Sequence, residues 1–249
     1  MIKKRLIGVI TVFEKIAVQS FGYTKRLPLG DVAHLAENLD RWGVDEILVQ
    51  SIDRSKYNLG PNFKLIEQLG NIGLRSPLIY GGGIRNSDDA VKVISKGADR
   101  IVCDHLFRNN PKEILKISKQ LGRQCVIGSL PVRAFNDQLL TYDYITRKEK
   151  PLAPSVINLI QDRTISELLL IDYLNEGFSG QFDKKILNYV DEFKTHLILF
   201  GGIGGADRVI DLVSNENVSA VAIGNHLNYR EDGVHLIKKS LPSQMFRRE

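Results

Sequence analysis

LIYGGGIRNSDDAVKVISKGADRIVCDHLF, residues 78–107, starts on a short apolar run, Leu78, Ile79 and Tyr80, and breaks on three glycines, Gly81, Gly82 and Gly83. An amphipathic segment follows over residues 87–96, where Ala90, Val91, Val93 and Ile94 can share one helical face. Gly97 stops it where a helix favours a left-handed residue, and a second apolar run covers 101–103. Strand, glycine turn, helix, strand is a βαβ unit with its tightest turn at a strand's C-terminal end.

The pattern returns in LILFGGIGGADRVIDLVSNENVSAVAIGNHL, residues 197–227. Gly201 and Gly202 stand 120 positions after Gly81 and Gly82, and Ala220, Val221, Ala222 and Ile223 fall under Arg100, Ile101, Val102 and Cys103. Asp45-Glu46-Ile47-Leu48-Val49 recurs 121 positions later as Ser166-Glu167-Leu168-Leu169-Leu170. A period near half the chain is too long for a solenoid and indicates two similar βαβα halves.

Outwards from these units the same alternation continues. Strands are expected at 6–13, 46–50, 125–129 and 168–171, beside those at 78–80, 101–103, 197–200 and 218–223. Helices are expected after Asp31, Asn62 and Asn110-Pro111, and over 155–161, 184–193, 206–213 and 233–239. Trp42 continues the apolar face of the first helix and reads as core. Leu139, Leu140, Tyr142, Tyr144 and Ile145 read as a small hairpin inserted after the fifth strand. Eight βα units in about 250 residues favour one closed (β/α)8 barrel, residues 1–249, over a doubly wound open sheet.

Composition narrows the function. The 249 residues are 43% hydrophobic and 25% charged, and no apolar run approaches the roughly 18–20 residues of a membrane span. The opening MIKKRLIGVITVF has no small-residue cleavage site and reads as a first strand, so a cytoplasmic protein is expected. Cys103 and Cys125 sit in apolar runs without metal or redox spacing and read as buried thiols. The net charge of +5 is spread among 29 acidic residues, with only Arg247-Arg248 clustered near a terminus, so no nucleic-acid footprint is expected. The histidines His34, His105, His196, His226 and His235 are scattered; only His105 and His226 fall near the C-terminal mouth, and no metal or cofactor site is expected.

In such a barrel, function sits on loops after the strands' C-terminal ends. Gly81, Gly82 and Gly83 with His105, and Gly202 and Gly204 with Gly224-Asn225, fall on those loops. Glycines there let backbone N–H groups approach an anion. Two copies at the half-chain period point to two facing phosphate sites.

RLIGVITVFEKIAVQ, DEILVQSID, YGGGI, GAD, the NP at the fifth helix, SELLL and GGIG together resemble the cyclase subunit of imidazole glycerol phosphate synthase, over nearly the whole chain. That resemblance implies phosphate contacts at Gly82, Gly83, Asp104 and His105 in the first half. In the second half it implies Gly177, Gly202, Ile203, Gly224 and Asn225. Asp104 departs from the family's asparagine, and a carboxylate there needs a cation or a charged His105 to offset it. By this measure the second-half site is the better preserved.

The cyclase uses two aspartates as general acid and base, at the ends of strands 1 and 5. Their positions here hold Thr11 and Pro131, and Gln19 replaces a family lysine. Threonine is a poor proton carrier and proline has no donor. Glu14, Asp53, Asp104 and Asp172 are the carboxylates left near the mouth, each from a different place. The catalytic pair is therefore expected to be absent.

The other end of the barrel is kept. The resemblance implies a salt-bridged ring through which ammonia enters, and its positions hold Arg5, Glu46, Arg100 and Glu167, each at a strand start. Asp99 matches a contact to the glutaminase partner. Loss of substrate chemistry with retention of ammonia entry resembles divergent paralogues that serve sugar amidation in bacterial surface-polysaccharide synthesis, where a third protein, an amidotransferase, takes the ammonia. PNFKLIEQLG and VIGSLPVR resemble that branch. Two alternatives stand: an active cyclase with relocated carboxylates, and a phosphate-ligand sensor that activates a glutaminase.

Overall fold

A computed structural model describes residues 3–228 and 232–240; Met1, Ile2 and the Arg247-Arg248 pair lie outside the described residues. In chain order the strands are β1 (Arg5–Phe13), β2 (Ile16–Phe21), β3 (Lys25–Gly30), β4 (Glu46–Ser51), β5 (Leu78–Gly81), β6 (Arg100–Cys103), β7 (Val126–Phe135), β8 (Gln138–Asp143), β9 (Lys148–Pro151), β10 (Glu167–Asp172), β11 (His196–Phe200) and β12 (Val218–Ile223). The helices are α1 (Val32–Arg41), α2 (Phe63–Asn71), α3 (Ser87–Ser95), α4 (His105–Asn109), α5 (Pro111–Leu121), α6 (Pro154–Gln161), α7 (Ala206–Val213) and α8 (Gly233–Ser240).

Eight strands run parallel in the order β10-β11-β12-β1-β4-β5-β6-β7, and β7 pairs with β10 to close the barrel. Buried on both faces, they are nearly continuous apolar runs. Alternation then sorts the residues. Ile7, Val9, Leu48, Ile79, Ile127, Leu169, Ile198 and Ala220 fill the inside, while Leu6, Ile10, Ile47, Leu168 and Val221 pack outwards against the helices.

Side-chain caps fix where helices begin. Asp31 accepts the amide of His34 at 3.0 Å, Asn62 that of Leu65 at 3.2 Å, Asn86 that of Asp89 at 2.8 Å and Asn110 that of Glu113 at 3.3 Å. A second device fixes where strands begin. Asp45, ahead of β4, accepts the Leu6 amide at 2.7 Å, and Asp99, ahead of β6, accepts the Leu78 amide at 2.7 Å. Each aspartate ties its strand to the preceding barrel strand, so the residue after it, Glu46 or Arg100, enters the barrel in a fixed register.

Two expectations are corrected, and one unpredicted element is added. Residues 184–193 do not form an α-helix; they wind as two 3-10 turns, Lys184–Tyr189 and Asp191–Phe193, ended by Lys194 at φ 48. Cys125 belongs to a 3-10 turn before β7 and is only half-buried. The span between Phe13 and Asp31 is not a bare connection: β1 turns back into β2 and β2 into β3, an antiparallel hairpin pair over the mouth. After the fifth barrel strand, β7, β8 and β9 form an antiparallel sheet extending from the barrel.

Candidate functional site

At the N-terminal mouth, Arg5, Glu46, Arg100 and Glu167 close into one ring. Arg5 Nε lies 3.2 Å from Glu46 Oε2 and its Nη2 2.6 Å from Glu167 Oε1. Arg100 Nη1 lies 3.4 Å from Glu46 Oε1 and its Nη2 2.6 Å from Glu167 Oε2. Ser219 Oγ donates to Glu167, and Ser166 Oγ accepts from Arg100 at 2.8 Å. Burial pushes the Glu167 carboxyl up, but the charges of Arg5 and Arg100 and the hydrogen bonds from Arg5 and Ser219 outweigh it and hold it below its usual range. Directly above lies the apolar interior, so anything entering along the axis must pass between these four side chains. Asp99, beside Arg100, is exposed and turns one carboxylate oxygen to the Leu78 amide.

The C-terminal mouth is divided. A first cleft of about 430 Å³ holds Gly82, Gly83, Asp104 and His105, together with Asp53, Tyr23 and Tyr144. A second, of about 20 Å³, holds Gly177, Gly202, Ile203, Gly224 and Asn225, together with Thr11, Glu176 and His226. Each half's predicted phosphate residues are thus brought to one place, but the room is distributed opposite to the residue matching. The second cleft has space for about one water.

Its closure has identifiable causes. The Asn225 side chain clamps Ser20, accepting its amide at 3.3 Å and donating to its carbonyl at 2.7 Å. Glu176 accepts from Ser20 Oγ at 3.0 Å and from the Tyr23 amide at 3.0 Å. Both hold the tip of the β2–β3 hairpin down between the clefts. Gly177, at φ +88, lies so close that a Cβ would run into the Ser20 carbonyl. Burial raises the Glu176 carboxyl above its usual range despite these hydrogen bonds.

A row of tyrosines completes the division. Tyr173, at the end of β10, stacks on Tyr142 at 4.5 Å; Tyr142 meets Tyr144 edge-on at 5.2 Å, and Tyr144 meets Tyr23 at 5.0 Å. Tyr23 OH donates to Gln50 at 3.2 Å. The row runs from β10 through the inserted β8–β9 turn to the β2–β3 tip. No single segment announces it, which is why sequence reasoning missed it.

The first cleft supplies the cation that Asp104 requires. Arg108, one helical turn on and 3% exposed, places Nε 2.8 Å from Asp104, with Asp143 4.0 Å from the same guanidinium. An i, i+4 Asp–Arg spacing in the sequence carries that signal. Gly82, at φ +126, packs where a Cβ would run into the Ser51 carbonyl, and Gly83 donates its amide to Ser55 Oγ at 3.1 Å.

Thr11 and Pro131 are both buried, Thr11 beside the second cleft and Pro131 level with Ile171 in β10. Of the remaining carboxylates, Glu14 is exposed in the β1–β2 turn. Asp53 accepts the Glu14 amide at 3.1 Å. Asp172 is taken up by Asn175 and by the Asp183 amide, each at 2.8 Å. Asp53 and Asp104 both line the first cleft, Asp104 with its carboxylate held by Arg108. Among the described residues no group of three His, Cys, Asp or Glu side chains is placed to hold a metal ion, and no helix is long and apolar enough to cross a membrane.

A family model described as histidine biosynthesis protein matches residues 5–232. The chain belongs to that family. Relatives at similar distance include a putative imidazole glycerol phosphate synthase subunit HisF of Leptospira borgpetersenii, 27% identical over 94% of this chain and 93% of its own. Another is the putative subunit hisF3 of Vibrio vulnificus, 27% identical over 90% of this chain and 88% of its own. The imidazole glycerol phosphate synthase subunit HisF of Staphylococcus aureus is also 27% identical, over 96% of both chains. The histidine biosynthesis family match spans the barrel from the first residue of β1 to the approach to α8, so the charged ring and both clefts fall inside it.

Proposed function

We propose that this barrel docks a glutaminase subunit at its N-terminal face and takes up ammonia through the Arg5, Glu46, Arg100 and Glu167 ring. The ammonia then serves glutamine-dependent amidation of a sugar in bacterial surface-polysaccharide synthesis, O-antigen included, through a third, amidotransferase protein. The observation that carries the reading is the contrast between the barrel's ends: a closed charged ring at one, Thr11 and Pro131 in place of an acid–base pair at the other. The tyrosine row and the 20 Å³ second cleft support it, because a ligand phosphorylated at both ends would have to cross the β2–β3 tip. The exposed oxygen of Asp99 would face the glutaminase.

A second reading is an active cyclase with relocated carboxylates. Glu176 favours it, since a buried carboxyl of raised pKa lines the second cleft together with Thr11, and such a group can take part in proton transfer. The names of the relatives favour it too. A third is a sensor, in which a phosphorylated ligand in the first cleft activates the glutaminase.

One assay separates the first two. The purified chain is given ammonium salt and the doubly phosphorylated aminoimidazole-carboxamide ribulosyl substrate, and substrate loss is followed by absorbance. No turnover is expected; rates within a hundredfold of roughly 1–10 per second would establish the cyclase. With the glutaminase added, Arg5→Ala and Glu167→Ala are expected to break the coupling of glutamine hydrolysis to ammonia delivery. Coupling unchanged in both would remove the gate and leave the sensor.

A further inference from the structure

Beside the first cleft lies another of about 460 Å³, off the barrel axis, between the loops after β4 and β5 and helix α4. Its walls carry Arg54, Lys56, Arg85 and His105, with the amides of Asn58 and Asn109, and no aspartate or glutamate is among its lining residues. The axial cleft differs, since Asp53 and Asp104 line it. Ser55, Lys56, Gly83 and His105 line both, so the two spaces share one wall.

The cations are placed rather than scattered. Arg54 donates to the Gly60 carbonyl at 2.6 Å and the Leu59 carbonyl at 2.9 Å, which fixes its guanidinium at the rim. Arg85 leans on Asp89 at 2.8 Å, with its side chain half-exposed. Lys56 is exposed, its ammonium 5.3 Å from the Tyr57 ring. A single phosphate would fill a small part of 460 Å³ and engage one or two of these groups. Arg54, Lys56 and the Asp89-held Arg85 together suit an anion with more than one charge, extended along the cleft. Across the shared wall, Tyr23, Tyr142 and Tyr144 offer ring faces and edges.

We propose that the lateral cleft holds the diphosphate of a small molecule whose ring rests against the tyrosines of the axial cleft, as in a nucleoside diphosphate. The site's cations come from the loops after β4 and β5, and it shares Gly83 and His105 with the axial cleft but not Gly82 or Asp104. It does not depend on the glutaminase reading. The barrel alone suffices for the test, so failure here leaves that reading untouched.

The test is calorimetric titration of the full-length chain with inorganic phosphate, inorganic pyrophosphate and UDP at constant ionic strength. Pyrophosphate is expected to bind about tenfold more tightly than phosphate, and UDP more tightly again. Lys56→Ala and Arg85→Gln are each expected to weaken pyrophosphate and UDP about tenfold, while Lys116→Ala, which removes an exposed charge from α5, leaves both unchanged. Lys56 is exposed on a loop, so its variant keeps the test valid if Arg85→Gln does not fold. Equal binding of phosphate and pyrophosphate, or equal weakening by Lys116→Ala, would overturn the site. UDP no tighter than pyrophosphate would overturn the seat for the ring.

Discussion

Arg5 Nη2 donates to both carboxylate oxygens of Glu167, at 2.6 and 2.8 Å, across 162 positions of sequence. Glu167 also receives Arg100 at 2.6 Å, so one carboxylate holds two guanidinium groups on the barrel axis. The Glu167 side chain is 6% exposed and that of Arg5 12%. Removing a partner from a buried ion pair costs about 3–5 kcal/mol, because the remaining charge is left uncompensated. Glu167→Ala is therefore expected to lower unfolding free energy by roughly 3 kcal/mol, read by urea titration. Glu167→Gln, which can still accept and donate, should lose less.

Acid should act on the same ring. The Glu167 carboxyl titrates below its ordinary 4.5 in the folded chain, so its stabilising contribution is full above that value and is lost as pH falls through the lowered one. Glu176 runs the other way. Its folded value lies above 4.5, so the folded chain binds the proton more tightly, and stability falls as pH rises from 4.5 to that raised value. Glu176→Gln is expected to flatten this fall while leaving the acid limb in place. Thermal melts between pH 3.5 and 7.5 would read both; a fall that persists in Glu176→Gln would show that another group causes it.

The two cysteines should differ in reactivity. Cys103 is 1% exposed at the end of β6, and burial, with the charge of Asp104, pushes its thiol up to about 12. Cys125 is half-buried in the turn before β7. Iodoacetamide at pH 8 is expected to label Cys125 first, with Cys103 labelled only as the chain unfolds. Mass spectrometry of a time course would decide it, and early labelling of Cys103 would mean that β6 opens locally.

Restoring carboxylates should not restore a cyclase. In Thr11→Asp with Pro131→Asp, the β2–β3 tip still stands between the clefts, held by Asn225 and Glu176. The double variant is expected to show no ring closure with ammonium salt. Activity in it would show that the tip moves aside for substrate.

The parts of the fold that were legible are those set by neighbours in sequence. Asp31, Asn62 and Asn110 marked helix starts because a cap acts over three residues. Residues 184–193 misled because Ile186, Leu187, Val190 and Phe193 are spaced for a helical face, and 3-10 turns bury the same positions. The β2–β3 hairpin was missed because Lys25, Arg26 and Pro28 break the strand signature, while its pairing with β1 supplies what propensity does not. The charged ring was legible by position, since a residue at a strand start has few directions to point. The tyrosine row was not, because Tyr23, Tyr142, Tyr144 and Tyr173 meet only after three loops converge. Nor could glycines, equally spaced in both halves, reveal that one cleft is open and the other shut.

The ring breaks the chain's internal symmetry. Glu46 and Glu167 are equivalent positions of the two halves, but the equivalents of Arg5 and Arg100 are Val126 and Ala220. A pair of identical first halves would bring four arginines to two glutamates around one axis, an excess of positive charge in a space with little water to screen it. The balanced arrangement, two of each, is open only to a barrel whose two halves differ at these positions. Divergence of the halves therefore gives more than a closed barrel: it gives a neutral aperture that no symmetric dimer of the first half could form.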